Sequence, residues 1–413
     1  MRMLTFARKR LPSALGVSLL GVALTAQASG FRLPEDSIAG MGYTNAIVAN
    51  PDETGAYAYN PAALGLHQRD SLSVGLIAID PNLKKDNTKS NPSTPFYVPN
   101  LFYAYHVKNT PWALGLNIDS PFGLETKWPA PGTFPLLDPF GTSPTRSRLE
   151  MINYNPNVVY RVGPDTSLAV GADYYDLRKA NLDSSGSTLQ GKGSEWGWNV
   201  ALLHRMGPWS FGASYRSRVN VDVNGSVGFP LGNPTLGLPA GSTLPAKTRM
   251  DFPAMLQVGA RYRFNPQWAA EFDIERTYWS SFNQLQIQAQ VPGAGWTTLR
   301  TDQNQWKNSN AYRFGVSYKP DTVNTWRFGY TFDQTPQPDA TFSARVPDAD
   351  RNLFAVGYGR ALGQGWSLDL AYMYVNFQNR TINQTAIPNV GPGYNGTYKS
   401  SVNLFGVGIT KTF

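Results

Sequence analysis

The sequence predicts an all-β protein: a 14-stranded antiparallel transmembrane β-barrel with an N-terminal hatch that plugs its lumen. Three observations predict this fold. Apolar and polar residues alternate with a period of two in many segments, the connections alternate strictly between short and long, and tryptophan recurs at one position after the short turns. Short turns at one end of a barrel and long loops at the other are typical of outer-membrane proteins.

The first segment, residues 1–28, has the pattern of a secretory signal peptide. Basic residues are concentrated in Met1–Arg10, the apolar stretch Leu11–Thr25 follows, and Ala26-Gln27-Ala28 places small residues at the cleavage site. The apolar stretch is too short to cross a bilayer as a helix. The mature chain is therefore expected to begin at Ser29.

The next segment, residues 29–70, is predicted to be the hatch. It is too short to form an independent core. However, Phe31, Leu33, Ile38 and Ile47 make it too apolar for a disordered tail. A plug folded inside a large barrel is consistent with both observations.

Residues 71–413 are predicted to form the barrel. The predicted strands are 71–80, 99–107, 111–125, 148–162, 166–180, 193–206, 208–224, 249–264, 267–284, 309–319, 324–334, 351–361, 365–378 and 400–413. Their even number places both termini on the periplasmic side. A tryptophan occupies the first outward position after five of the short turns, at Trp112, Trp209, Trp268, Trp326 and Trp366. This repetition predicts a ring of indoles at a membrane interface.

Composition and charge argue against several other functions. The formal net charge is +8, but the signal peptide holds four of the 36 basic residues and none of the 28 acidic ones, so the mature chain carries +4 without a dense basic cluster. Nucleic acid is therefore not an expected partner. The chain has no cysteine, and its three histidines (His67, His106 and His204) are far apart. We expect no metal, no other cofactor, no catalytic residue and no enzyme activity.

The predicted third strand contains an interruption at Asp119, Ser120, Pro121, Phe122 and Gly123. Pro121 has no N–H to donate to a neighbouring strand, and Gly123 permits a sharp change of backbone direction. Unpaired backbone at membrane depth is tolerated only where it lines a protein or water-filled cavity. We interpret the interruption as a lateral opening in the barrel wall, with a β-bulge as the alternative.

Motifs spread over the whole mature chain resemble those of the FadL-like long-chain fatty acid transporters. They are SGF at 29–31, NPA at 60–62, VPN at 98–100, SPFGL at 120–124, YRSRVNVD at 215–222, NPQWAAEFDIERTYWSSFNQL at 265–285 and VPDADR at 346–351. The resemblance implies a monomeric barrel that binds hydrophobic molecules from the extracellular side. It also implies that ligand leaves sideways through a kink in strand three after the hatch moves.

The resemblance assigns further site residues. Phe31 corresponds to a phenylalanine that reaches into the ligand pocket, and Asn60, Pro61 and Ala62 belong to the hatch motif. The basic residues that bind a ligand carboxylate in this family have no match here. The alternation along the strands predicts that Lys179 and Arg313 point inward near the extracellular end. They are therefore candidates to replace those basic residues; alternatively, they belong to a solvated rim. The apolar loops at 131–140 and 225–247 are expected to capture ligand.

The predicted function is passive transport of long-chain fatty acids or similar hydrophobic molecules across the outer membrane of a Gram-negative bacterium. The alternative is uptake of neutral aromatic or alkane hydrocarbons, or export of oxidised fatty acids, by the same barrel. Expected partners are the hydrophobic ligand, outer-membrane lipid and lipopolysaccharide, and the barrel-assembly machinery during biogenesis.

Overall fold

The structure is a computed structural model that describes residues 30–67, 69–92, 94–129, 133–134, 143–384 and 393–413. The predicted signal peptide, 1–28, and the predicted mature start at Ser29 lie outside these residues. Two short helices occur before the first strand, α1 (Ile38–Gly42) and α2 (Ala63–His67). Short 3₁₀ helices occupy Thr54–Ala58, Pro234–Leu236, Trp279–Ser281 and Asp339–Thr341. None of the helices in the described part of the chain is long and apolar enough to cross a membrane.

All the strands belong to one antiparallel sheet. They are β1 Ser71–Lys85, β2 Thr88–Lys89, β3 Phe96–His106, β4 Trp112–Asp119, β5 Gly123–Lys127, β6 Pro144–Arg161, β7 Thr166–Ser184, β8 Thr188–Met206, β9 Trp209–Arg216, β10 Val219–Phe229, β11 Ser242–Phe252, β12 Met255–Arg263, β13 Trp268–Thr277, β14 Gln284–Val291, β15 Gly295–Gln303, β16 Ser309–Tyr318, β17 Asn324–Asp333, β18 Arg351–Gly363, β19 Trp366–Phe377, β20 Arg380–Ile382 and β21 Gly396–Thr412. The sheet closes because β1 pairs with β21 along its whole length, from Ser71–Thr412 to Lys85–Tyr398. Consecutive pieces such as β4 and β5 form single crossings, so the barrel has 14 strands and the predicted fold is confirmed.

The outer surface of the barrel is apolar and ringed by aromatic side chains at its periplasmic end. The five tryptophans that follow the short turns are all exposed on this surface. Four of them contact a tyrosine of the adjacent strand, with ring centroids 4.3–4.8 Å apart: Trp112–Tyr160, Trp209–Tyr262, Trp268–Tyr318 and Trp326–Tyr358. Such amphipathic rings prefer the level where hydrocarbon meets polar head groups.

Residues 30–67 lie inside the barrel, where nearly all of them are buried. The backbone N–H groups of Ile47 and Val48 donate to Asp273 at 2.9 and 3.1 Å, and that of Ala49 donates to Glu271 at 2.6 Å. The N-terminal segment therefore uses carboxylates of the inner barrel wall to satisfy its irregular backbone, which would otherwise lose hydrogen bonds on burial.

Buried arginines attach the same segment to the wall. Arg327 pairs with Glu53 of the segment at 2.8 Å and with Asp369 of β19 at 2.7 Å. A buried charge is costly unless it is paired and hydrogen-bonded. The N-terminal segment thus adds to the ion pairs that the wall makes within itself, such as Arg327–Asp369 and Arg351–Asp333.

The apolar loop at 225–247, which is expected to capture ligand, is for the most part a strand pair. β10 and β11 extend into this loop as a hairpin. Its pairing runs from Val219 opposite Phe252 to Phe229 opposite Ser242. Its apolar side chains pack in a buried cluster with Leu189 and with the hairpin of β14 and β15; from this loop they are Val227, Phe229, Leu244 and Ala246. These four residues thus belong to the core of an extended strand pair, whereas Leu231 at its tip is 80% exposed. Most of the other expected capture loop, 131–140, lies outside the described residues.

Candidate functional site

The third barrel crossing is interrupted where the sequence predicted it. β4 ends at Asp119 and β5 begins at Gly123. The N-terminal segment pairs with the interruption, since Leu33 N–H donates to the Pro121 carbonyl at 2.9 Å and Gly123 N–H donates to the Phe31 carbonyl at 3.1 Å. The N-terminal segment, inside the lumen, therefore forms the backbone hydrogen bonds that a neighbouring strand would otherwise form here. Any displacement of residues 31–33 breaks these two hydrogen bonds.

A gap in the wall lies beside the interruption. The ladder between β3 and β4 stops at Leu101–Ile118, and β5 continues on the β6 side only. Among the described residues, no backbone pairing joins Phe96–Asn100 of β3 to β5. On the extracellular side the gap is bounded by Ser90, whose side chain accepts a hydrogen bond from Lys127 N–H at 2.9 Å.

A cavity of about 540 Å³ passes through this gap. Its lining includes Met151, which faces the lumen, and its neighbour Ile152, which faces outward, so the cavity crosses the wall. From the predicted interruption, Ser120, Phe122 and Gly123 line it. Asp119 is buried beside Asn117, to which it is hydrogen-bonded, and lies outside the lining.

A second cavity, of about 320 Å³, lies on the extracellular side. Its apolar walls include Met250, Phe282, Leu285 and Trp306. The connection between β17 and β18, residues 334–350, covers it and contributes Arg345. The cavity therefore combines an apolar interior with one deeply buried guanidinium.

Arg345 is held by neutral groups. Its Nη1 donates to the Ser147 hydroxyl and to the Asp183 carbonyl, each at 3.0 Å. Its Nε is buried without a hydrogen-bond partner, and the described residues offer no carboxylate within salt-bridge distance. Burial, reinforced by the charge of Arg300, lowers the pKa of the Arg345 guanidinium. A bound anion would offset this cost.

Phe31 lines both cavities, as do Leu124, Arg148, Leu149 and Val346. Its ring is 95% buried and packs in an aromatic cage with centroid distances of 4.7–6.1 Å, formed by Phe122, Phe252, Trp279, Phe282 and Trp306. Gly30 before it adopts φ +65°, and a Cβ there would lie 2.5 Å from the Trp306 ring. Gly30 N–H donates to the Asp348 carboxylate at 3.0 Å, which ties the start of the described N-terminal segment to the extracellular connection 334–350.

The Asn60-Pro61-Ala62 motif lies away from both cavities. The Asn60 amide donates to the carbonyls of Val48 at 2.7 Å and of Leu202 in β8 at 2.9 Å, and its side-chain oxygen accepts from Ala62 N–H at 3.1 Å. The motif thus fastens the N-terminal segment to itself and to the wall. Its geometry provides an anchor, and its role in gating stays a prediction.

The predicted inward orientation of Lys179 is wrong. The register between β7 and β8 shifts between Leu177 and Ala180, which are both buried inside, so a bulge places Lys179 on the outer surface. Its side chain is 50% exposed and pairs with Glu150 at 3.0 Å.

The second candidate, Arg313, does point inward but reaches neither cavity. It is fully buried, donates to the Thr44 carbonyl at 3.1 Å and pairs with Glu275 at 3.4 Å. It therefore anchors the N-terminal segment.

Sequence reasoning missed Arg345. The one local signal was an arginine directly before the VPDADR motif at 346–351, in the long connection between the predicted strands 324–334 and 351–361. Its burial results from packing against β6 and β7, which are distant in sequence.

Comparisons with known proteins agree with this architecture. A family model described as outer membrane protein transport protein (OMPP1/FadL/TodX) matches residues 19–413. The long-chain fatty acid transport protein of Escherichia coli K12 is 26% identical over 426 residues, covering 90% of this chain and 93% of that protein. The 47 kDa outer membrane protein of Pasteurella multocida is 25% identical, covering 99% of both chains.

Solved structures have the same fold. A FadL homologue of Pseudomonas aeruginosa superposes with a TM-score of 0.76 at 20% identity, covering 93% of this chain and 99% of that one. The toluene transporter TbuX of Ralstonia pickettii superposes with a TM-score of 0.68 at 18% identity, covering 90% and 98%. At these identities the likeness establishes the fold alone. The family match over almost the entire chain shows that this protein belongs to the OMPP1/FadL/TodX family of outer-membrane transport proteins.

Proposed function

We propose that this protein carries long-chain fatty acids passively across the outer membrane. Buried Arg345 supports an anionic ligand, because it places beside a mainly apolar cavity a positive charge for which the described residues offer no carboxylate within salt-bridge distance. A long-chain fatty acid matches both features, with its carboxylate on the guanidinium and its acyl chain among the apolar walls. Each CH₂ removed from water contributes about 0.8 kcal/mol, so entry needs no energy source.

The proposed route leads from the extracellular cavity past Phe31 into the cavity that crosses the wall. Since Phe31 lines both cavities, its displacement joins them. The same displacement breaks the hydrogen bonds of residues 31–33 to Pro121 and Gly123. Movement of the hatch and opening of the third strand are therefore one event in this mechanism, and the ligand leaves sideways into the bilayer.

The first test measures ligand binding by purified protein in detergent. We expect Arg345→Gln to weaken oleate binding at least tenfold and Arg345→Lys to retain part of it, since only the lysine keeps a charge. Lys179→Gln is the matched control: it removes one outward positive charge and should leave oleate binding unchanged. Methyl oleate should bind wild type and Arg345→Gln alike.

The same test decides between fatty acid and the second candidate, neutral hydrocarbon. The apolar lining of the extracellular cavity and the similarity in fold to TbuX favour that candidate. Equal oleate binding by Arg345→Gln and wild type, with tight binding of toluene or hexadecane, would reject the carboxylate role. Net efflux of oxidised fatty acids from cells that express the chain would instead support export.

Lateral release needs a separate experiment. Deletion of Ser120–Gly123 should allow the ladder of the third strand to continue and close the gap. We expect uptake of radiolabelled oleate to be lost while oleate binding by purified protein persists. Unchanged uptake by a correctly folded deletion variant would eliminate release through the wall.

A further inference from the structure

A polar cleft of about 430 Å³ lies on the outer surface of the barrel, near the extracellular ends of β6, β7, β8 and β10. Five cationic side chains line it: Arg146, Arg148, Arg178, Lys179 and Lys192. The other lining residues are asparagine, glutamine, serine and glycine. The cleft adjoins the cavity that crosses the wall, with which it shares Arg148 and Arg178, but its lining is polar whereas the walls of that cavity are mainly apolar.

The bulge in β7 contributes to this cleft. Since Leu177 and Ala180 both face the interior, Arg178 and Lys179 project outward next to each other. Regular alternation would have turned one of these side chains into the lumen. The bulge thus concentrates two cations on the outer surface.

The cleft lies directly on the extracellular side of an outward aromatic row. Tyr154, Tyr174 and Trp196 form that row, with ring centroids 6.3 and 4.8 Å apart. Arg178 connects the cleft to it, because its Nη2 donates to the Tyr154 hydroxyl at 3.0 Å. Aromatic rows mark the boundary between hydrocarbon and head groups. The five cations therefore lie at the level of the outer-leaflet head groups.

Positive charge exceeds negative charge in the cleft. Three carboxylates face the five cations: Glu125 pairs with Arg146 and Arg148, Glu150 with Arg148 and Lys179, and Asp176 with Arg178. Lys192 has no carboxylate within salt-bridge distance in the described part of the chain. Arg178 and Lys179 are each 50% exposed, so their ion pairs are solvated and can exchange partners at small cost.

We propose that this cleft binds the phosphate groups of a phosphorylated glycolipid in the outer leaflet of the outer membrane. Arginine and lysine side chains form charge-assisted hydrogen bonds with phosphate oxygens. Basic pockets at head-group level are a recurring site for anionic lipids. The acyl chains of such a lipid would lie along the apolar outer surface below the aromatic row.

The test measures the binding of lipid A to purified protein in detergent by native mass spectrometry. The probes are bisphosphorylated lipid A, the same lipid without phosphates, inorganic phosphate and oleate. Arg178→Gln/Lys192→Gln removes two cations from the cleft. Lys247→Gln/Arg249→Gln is the matched control, because it removes two cations from the outward face of neighbouring β11, outside the cleft.

We expect wild type and the control variant to bind bisphosphorylated lipid A within twofold of each other, and the cleft variant to bind it at least tenfold more weakly. Equal binding by both variants, or equal binding of the dephosphorylated lipid, would reject the site. Displacement of lipid A by millimolar inorganic phosphate would indicate a site for free anions, and displacement by oleate a carboxylate site. Either result would overturn the assignment. Heat-dependent mobility on gels verifies that each variant is folded.

Discussion

At the residue scale, the proposed mechanism makes Phe31, which lines both cavities, the residue that limits passage between them. Truncating a fully packed phenylalanine to alanine costs about 3–5 kcal/mol of packing, and here the loss falls on the N-terminal segment that closes the wall. We therefore expect Phe31→Ala to raise the initial rate of oleate uptake several-fold. Phe31→Leu should have a smaller effect because it fills most of the aromatic cage. An uptake rate equal to wild type in Phe31→Ala would show that Phe31 does not limit passage.

Two aspartates in the connection 334–350 predict a pH dependence of stability. Burial raises the pKa of Asp348 from 3.8 to about 6, and burial together with Asp348 raises the pKa of Asp350 to about 7. Between about pH 4 and 7 the folded protein thus holds more protons than the unfolded chain, so these groups lower the free energy of unfolding as pH rises. For Asp348 the change is at most about 3 kcal/mol.

The pH prediction is measured with Asp348→Asn/Asp350→Asn. Between pH 4 and 7, the free energy of unfolding of this variant in urea should fall less with rising pH than that of wild type. Asp339→Asn, in the same connection but with a side chain 73% exposed, should keep the wild-type slope. Identical slopes for all three proteins would contradict the prediction.

At the element scale, the N-terminal segment is held by a few polar anchors, one of which is Asn60 with three side-chain hydrogen bonds. Asn60→Asp keeps the oxygen that caps Ala62 N–H but loses both hydrogen bonds to carbonyls, leaving these unsatisfied at about 1–3 kcal/mol each. Hydrogen exchange should accelerate within residues 46–66 and remain slow in β8. Equally fast exchange in β8 would mean that the anchor stabilises the barrel as a whole.

Elements also differ in how much the sequence could predict. Strand positions, turns and the interruption at Pro121 and Gly123 were accessible because period-two alternation and proline chemistry are local. The bulge that turns Lys179 outward could not be predicted, because one extra residue reverses which side chains face inward without changing the composition. The burial of Arg345 was also inaccessible, because it depends on strands more than 150 residues away in sequence.

At the scale of the whole molecule, the barrel and the N-terminal segment have separable roles. Closure depends on strand pairing between β1 and β21, which begins at Ser71 and makes no use of residues 30–67. The lumen, by contrast, is filled by those residues and lined by charges that they compensate. A chain without residues 31–67 should therefore still form a barrel, but with a wide, charged, water-filled lumen.

We expect this deletion variant to conduct ions like a porin in planar bilayers, whereas the full chain should show little conductance. Arg313 and Arg327 would keep their wall partners Glu275 and Asp369, and water in the open lumen would solvate the groups that the segment no longer contacts, so that no charge is left buried and alone. The variant should keep heat-dependent mobility on gels, which shows that it is folded. If its conductance nevertheless stays at the level of the full chain, the extracellular connections alone close the lumen. If the deletion variant does conduct, its ion selectivity in a salt gradient would report the balance of the charges that line the open lumen.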